Sequence, residues 1–160
     1  MKYRKLSKEE LDELKTEFIQ FLVANGLDAD EWKRLTNEDL DAANEMVDLF
    51  SDVVFDKVLK GISFLKHISQ RHIKYFYCTD KKLVLLSIKA HENSPLDFTN
   101  PVVLSKLADG QESFEKGEIT YSSSEKEYQK ERNTEVFDLM NQGSFPCTKE
   151  EFEEVYKVCK

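Results

Sequence analysis

The chain has 160 residues, 40% of them hydrophobic and 11% aromatic, which is enough to build a packed interior without disulfide or metal staples. Charged residues make up 34% and the formal net charge is −8, so the surface is densely solvated. No apolar run approaches the ~18 residues a membrane span requires, the opening MKYRKLSKEELDELK lacks the apolar core of a secretory leader, and Cys78, Cys147 and Cys159 form no disulfide framework. The expectation is a reduced, cytoplasmic protein with no membrane contact.

Ser7 and Glu10 form a capping-box pair. Leu11, Leu14, Phe18, Phe21 and Leu22 follow at helical spacing, and Asn25-Gly26 supplies a stop, which predicts a helix over 7–25. LDADEW reads as a turn or a short helical piece. Its Asp28-x-Asp30 start resembles a calcium loop, but Lys33 stands where the loop needs glycine and Asp39 where it needs glutamate.

Thr36 is the expected cap of the next helix, with Glu38 and Asp39 in its first turn. Its apolar stripe runs Leu40, Ala43, Val47, Phe50, Val54 and Val58. The helix can stop at Gly61, leaving ISFLKHIS as a strand, or it can continue. Alternation would place Lys66 on one face with Ile62, Phe64 and Ile68, whereas helical counting aligns Val54, Val58, Ile62, Leu65 and Ile68. One glycine costs about 1 kcal/mol in a helix interior, so the pattern favours a long helix over 37–70.

IKYFYC (73–78) and LVLLSIK (83–89) flank the loop TDKK and read as a hairpin with Cys78 opposite Leu83. That register puts Ile73, Tyr75, Tyr77, Val84, Leu86 and Ile88 on a core face. Lys74, Phe76, Cys78, Leu83, Leu85, Ser87 and Lys89 take the other. A loop over 91–100, a short helix from Pro101 to Leu107, and a third strand over 118–122 come next. A helix over 123–142 follows, stopped by Gly143, and Thr148 caps a last helix striped by Phe152, Val155, Tyr156 and Cys159.

Charge is unevenly placed along this order. Residues 1–56 carry seven basic and fifteen acidic side chains, residues 57–91 eight basic and one acidic, and residues 92–160 eight basic and fifteen acidic. A basic middle between acidic ends can attract phosphates, an acidic partner, or a second copy of the chain.

The motifs that would announce chemistry are missing their partners. His67 and His72 are five residues apart, which puts them on different sides of a helix and on opposite faces of a strand, whereas zinc helices space ligands by three or four. A metal site could draw only on His72, Cys78 and His91, brought together by the fold. Ser63-x-x-Lys66 and Ser123-x-x-Lys126 match S-x-x-K without the companion motifs of that chemistry. Arg71, Lys74, Phe76, Lys81 and Lys89 combine positive charge with an aromatic and are the candidate binding residues, for RNA or for a protein. A lone phenylalanine in an acidic chain argues against RNA.

The opening MKYRKLSKEELDELKTEFIQFLVANGL, the stretch DLFSDVVFDKVLKGISFL and the FYC…DKKLVLLSI hairpin resemble a family of short proteins of unknown function from Bacteroidetes. The resemblance covers about the first ninety residues and implies a source but no activity. The sequence as a whole predicts an α+β fold in a single domain, 1–160. It comprises two N-terminal helices (the second long), a small antiparallel sheet built on the 73–89 hairpin, C-terminal helices, and a mobile connector over 110–125. The predicted function is a non-enzymatic, cofactor-free module that binds a protein partner or itself, with RNA binding as the alternative and a metal or thiol enzyme as the remote one.

Overall fold

The computed structural model describes residues 1–110 and 114–159. Residues 111–113, part of the expected connector, lie outside the described residues. The described residues form seven helices and a five-stranded antiparallel sheet, an α+β fold. They divide into two compact units, residues 1–60 and 61–160.

In the first unit Ser7 accepts from the Glu10 amide at 3.1 Å and opens α1 (Lys8–Glu13). The single helix expected over 7–25 is interrupted at Leu14, where φ −101° and ψ 23° leave the helical well before α2 (Lys15–Ala24) resumes. The Leu14 amide is shared between the Glu10 and Leu11 carbonyls at 3.1 and 3.2 Å, so the ladder bends without breaking. Gly26, with φ 81°, supplies the predicted stop.

The LDADEW segment opens a full helix, α3 (Ala29–Glu38), because Asp28 caps it by accepting from the Glu31 amide at 2.8 Å. Thr36 therefore does not start the next helix. It lies inside α3 and donates its hydroxyl to the Lys33 carbonyl at 2.8 Å. Asp39 holds the first turn of α4 (Leu40–Lys60) instead, accepting from the Ala42 amide at 3.1 Å.

Phe50 of α4 is the buried centre of this unit, with Phe18 and Phe21 rings at 4.9 and 5.3 Å. The N-terminal segment is pinned to α4 by the fully buried Ser51. Its hydroxyl accepts from the Leu6 amide at 3.0 Å and donates to the Val47 carbonyl at 2.7 Å.

The long helix expected over 37–70 ends at Lys60, and the second unit begins with a strand, β1 (Phe64–Ile68). A strand places Lys66 on an apolar face, and the structure shows how that is tolerated. The Lys66 ammonium lies 5.9 Å from the Tyr75 ring centre, 5.7 Å from that of Phe145 and 3.4 Å from the Glu151 carboxylate. A long aliphatic stem can cross an apolar face when its charge finds such partners at the rim. Five residue pairs with the next strand then offset the loss of the helix, from Phe64↔Tyr77 to Ile68↔Ile73.

β2 (His72–Cys78) and β3 (Lys82–Ala90) form the predicted hairpin in the predicted register, Cys78 opposite Leu83 and Ile73 opposite Ile88. α5 spans Pro101–Asp109, capped by Asn100. The third strand, β4 (Ile119–Glu127), runs well past 122. The helix expected over 123–142 is confined to α6 (Arg132–Asn141). The polar run SSSEKE has little intrinsic preference for a strand. Nine paired residues along β3 override it, from Ala90↔Ile119 to Lys82↔Glu127. Gly143 ends α6 with φ 107°. A two-residue strand, β5 (Phe145–Pro146), pairs with β1, and Thr148 caps α7 (Lys149–Cys159).

The strand order is β4-β3-β2-β1-β5. On one face Ile73, Ile88, Ala90 and Ile119 pack with Leu96 and Phe98 of the 91–100 loop, with Val103, Leu104 and Leu107 of α5, and with Val155 of α7. On the other face Leu65, Phe76, Cys78 and Leu83 are buried, as is Val136 of α6. Arg132 anchors α6 there by donating to the Ile62 and Cys78 carbonyls at 2.5 and 3.0 Å.

Substituting Ser51→Ala leaves the buried Leu6 amide without its acceptor. The expected loss is about 1–3 kcal/mol of unfolding free energy, measured by urea denaturation.

Candidate binding site

The alternation of the strands decides which side chains share the α6 face. β1 contributes Leu65 and His67; β2 His72, Lys74, Phe76 and Cys78; β3 Leu83, Leu85, Ser87 and Lys89; β4 Thr120, Ser122, Ser124 and Lys126. None of these strand residues is acidic, although the chain carries 31 acidic residues in all. α6 lies over the half of the face nearest the 79–82 turn, where Lys126 pairs with Glu135 at 3.2 Å. The far half holds His67, His72, Lys74 and Lys89, and among the described residues neither Lys74 nor Lys89 has a carboxylate within ion-pair distance.

His72 registers this accumulation of positive charge. Its imidazole is hydrogen-bonded to the Ser87 hydroxyl. Partial burial, then the charges of Lys74, Lys89 and His67, hold its pKa below the usual histidine value. A serine beside a histidine is the first half of a nucleophilic triad, but the base must be oriented by an acid and raised in basicity. No strand residue of this face supplies the acid, and the surrounding cations lower the basicity.

Where α6 meets the bare half there is a cavity of about 330 Å³. Phe76, Leu83 and Leu85 of the sheet and Leu139 of α6 make its apolar lining. His67, Lys74, Ser124, Lys126, Gln142 and Ser144 make its polar lining. Lys126 has its partner in Glu135. The side chains of the other five make no hydrogen bond or ion pair among the described residues. The position of His67 depends on Gly143, where an added Cβ would stand 3.3 Å from the imidazole Nε2.

A second recess, of about 350 Å³, lies on the opposite face. It is lined by the stacked pair Phe64 and Tyr77, 4.6 Å between ring centres, with Phe152 and Tyr156. Its rim charges are already matched, Lys82 to Glu125 at 2.7 Å and Lys149 to Glu153 at 3.7 Å. Unmatched polar groups therefore distinguish the first cavity.

Of the candidate binding residues, Lys74 and Phe76 line this cavity and Lys89 shares its face. Phe76 is only 6% exposed, so it is a floor and offers no ring face for a base to stack on. Arg71 is taken up structurally, its guanidinium donating to the Leu96 and His91 carbonyls at 2.5 Å each. Lys81 sits in the hairpin turn, at the other end of β3 from Lys89.

The three candidate metal ligands do not converge. His72 and Cys78 stand at opposite ends of β2, about 20 Å apart at the usual rise per strand residue. His91 lies beyond β3, its Nδ1 accepting from the Asn93 amide at 3.2 Å. Among the described residues no group of three or more His, Cys, Asp or Glu side chains is placed to hold a metal ion. Burial pushes the Cys78 and Cys147 thiols up to about 11, which keeps both protonated at neutral pH.

His67 and Ser124 were missed in the sequence because 64–70 and 123–127 read as helix, whereas Gln142 and Ser144 flank the predicted stop at Gly143, and nothing local places that stop over the sheet. The alternation Thr120, Ser122, Ser124, Lys126 was the available signal, since it places one hydroxyl or amine at every second residue.

Fold and site together define a small α+β chain with a basic, carboxylate-free sheet face and a half-covered cavity in it. The chain belongs to a family described as a family of unknown function (DUF6495), whose profile matches residues 1–160. No curated protein and no solved structure matches it.

Two outcomes follow. Gly143→Ala forces a side chain into a left-handed backbone and against His67, and should cost about 1 kcal/mol or more by denaturant titration. Because the folded pKa of His72 lies below its ordinary value of 6.5, its contribution is complete above 6.5 and is lost as pH falls from there through the depressed value. His72→Gln should flatten that acid-side loss in thermal melts recorded across the window.

Proposed function

We propose that the protein is a non-enzymatic interaction module that receives an acidic protein surface on the basic face of its sheet. The observation that carries this reading is the segregation of charge. A chain of net charge −8 keeps every strand carboxylate off this face and leaves Lys74 and Lys89 without ion-pair partners. Like charges gathered on one face repel, and an acidic partner would relieve that repulsion while gaining from the field. A second copy meets the same requirement, since residues 1–60 carry nine basic and fifteen acidic side chains. RNA binding is less well supported because Phe76 is buried and the face presents no aromatic platform.

The test is affinity purification of the full chain from a Bacteroidetes cell, the source its sequence resemblance implies, after nuclease treatment. Wild type should retain a stoichiometric protein partner or a self-complex, and Lys74→Glu/Lys89→Glu should weaken it about tenfold, with wild-type affinity falling as salt rises. A complex lost on nuclease treatment would instead favour RNA. A complex indifferent to both substitutions would end the reading.

A further inference from the structure

We infer that the cavity between the sheet and α6 is a binding site for a small organic monoanion, a carboxylate carried on a short apolar body. This goes beyond the acidic-partner reading, which concerns the open face and shares only Lys74 with the cavity.

Size comes first. A volume of about 330 Å³ falls within the range of small-molecule sites. At the ~30 Å³ that a water molecule occupies, it holds on the order of ten non-hydrogen atoms. The lining then selects an amphiphile. Phe76, Leu83, Leu85 and Leu139 leave an apolar surface that bulk water solvates poorly, so an apolar body gains by covering it.

Charge selects a single negative group. The cavity has two ammonium groups, but Lys126 is already matched by Glu135 at 3.2 Å, which leaves Lys74 as the one unmatched lysine. A monoanion balances that charge, whereas a dianionic phosphate would carry a second charge with no lysine to meet it. Donors select the acceptor. The hydroxyls of Ser124 and Ser144 and the amide of Gln142 stand in the same cavity with no protein partner among the described residues. Ser144 is 6% exposed as a residue, so its hydroxyl, which lines the cavity, is held in place by its surroundings and needs no reordering to donate. A carboxylate offers two oxygens and about four lone-pair directions to such a set.

The experiment is an NMR titration of the full chain, followed through backbone amides and leucine methyls, with isocaproate and its neutral isostere isocaproamide. Isocaproate should give saturable shifts at the Leu85 and Leu139 methyls and the Ser124 and Gln142 amides, in the millimolar range proper to so small a ligand. Isocaproamide should bind at least about tenfold more weakly, the loss expected for one charge-assisted contact. Lys74→Met keeps the aliphatic stem and should weaken isocaproate by a similar factor. Ser144→Ala should weaken it severalfold, and unchanged shifts outside the cavity would confirm that both variants fold.

Four results would overturn the inference: no saturable shift at the cavity; equal binding of acid and amide; acid-specific shifts confined to Lys89 and Thr120; or isobutyl phosphate binding more tightly than isocaproate. The third would leave the acidic-partner reading standing, because a charged face would still be attracting acids.

Discussion

Everything in the second unit depends on the register of one hairpin. With Cys78 opposite Leu83, the period-two geometry sends Ile73, Tyr75, Leu86 and Ile88 toward α5 and α7 and sends Lys74, Phe76, Leu85 and Lys89 the other way. A slip of one residue would turn one strand over and drive Lys74 or Lys89 into the cluster around Phe98. Thr79 holds the register at the turn, its amide and hydroxyl both donating to the Lys82 carbonyl and its hydroxyl accepting from the Lys82 amide. β1 and β4 then copy the same alternation outward, which brings His67 and Ser124 beside the lysines.

The two faces solve different problems. One is covered by the 91–100 loop, α5 and α7, which bury the cluster around Ile73, Ile88 and Phe98. The other is roofed by a single ten-residue helix, which at 1.5 Å per residue is about 15 Å long and is shorter than the nine-residue strands beneath it. The buried half under α6 is apolar, and Arg132 fixes the helix to the carbonyls of Ile62 and Cys78. The remainder must be polar because it is wet. It need not be uniformly cationic and hydroxylic, and that uniformity is what solvation alone does not account for.

The register of the hairpin was legible because its apolar alternation is strong and both flanks are rich in strand formers, although each strand starts one residue earlier than expected and β3 also ends one later. The first helix was legible from Ser7, Glu10 and its stripe, although the kink at Leu14 left no mark in the periodicity. The readings that failed share a cause. FLKHI and SSSEKE are strands only because a neighbouring strand pairs with them, and local pattern does not record a partner distant in sequence. Lys66 misled because a charge on an apolar face is tolerated through Tyr75, Phe145 and Glu151, and Glu151 lies far along the chain. Half of the cavity was consequently invisible, since His67 comes from the first of these strands and Ser124 and Lys126 from the second. Lys74 and Phe76 were found because they sit on the hairpin.

The sheet's two margins differ from its faces. β5 is two residues long and ends in Pro146, which has no amide hydrogen to offer. β4, at the opposite margin, ends in Glu125, Lys126 and Glu127, all exposed and of alternating sign. Short length, proline and charge are the features that keep an unpaired backbone from recruiting another strand. The sheet is thereby closed to growth in its own plane. What the sheet offers to its surroundings is therefore its faces, where side chains rather than backbone decide what fits.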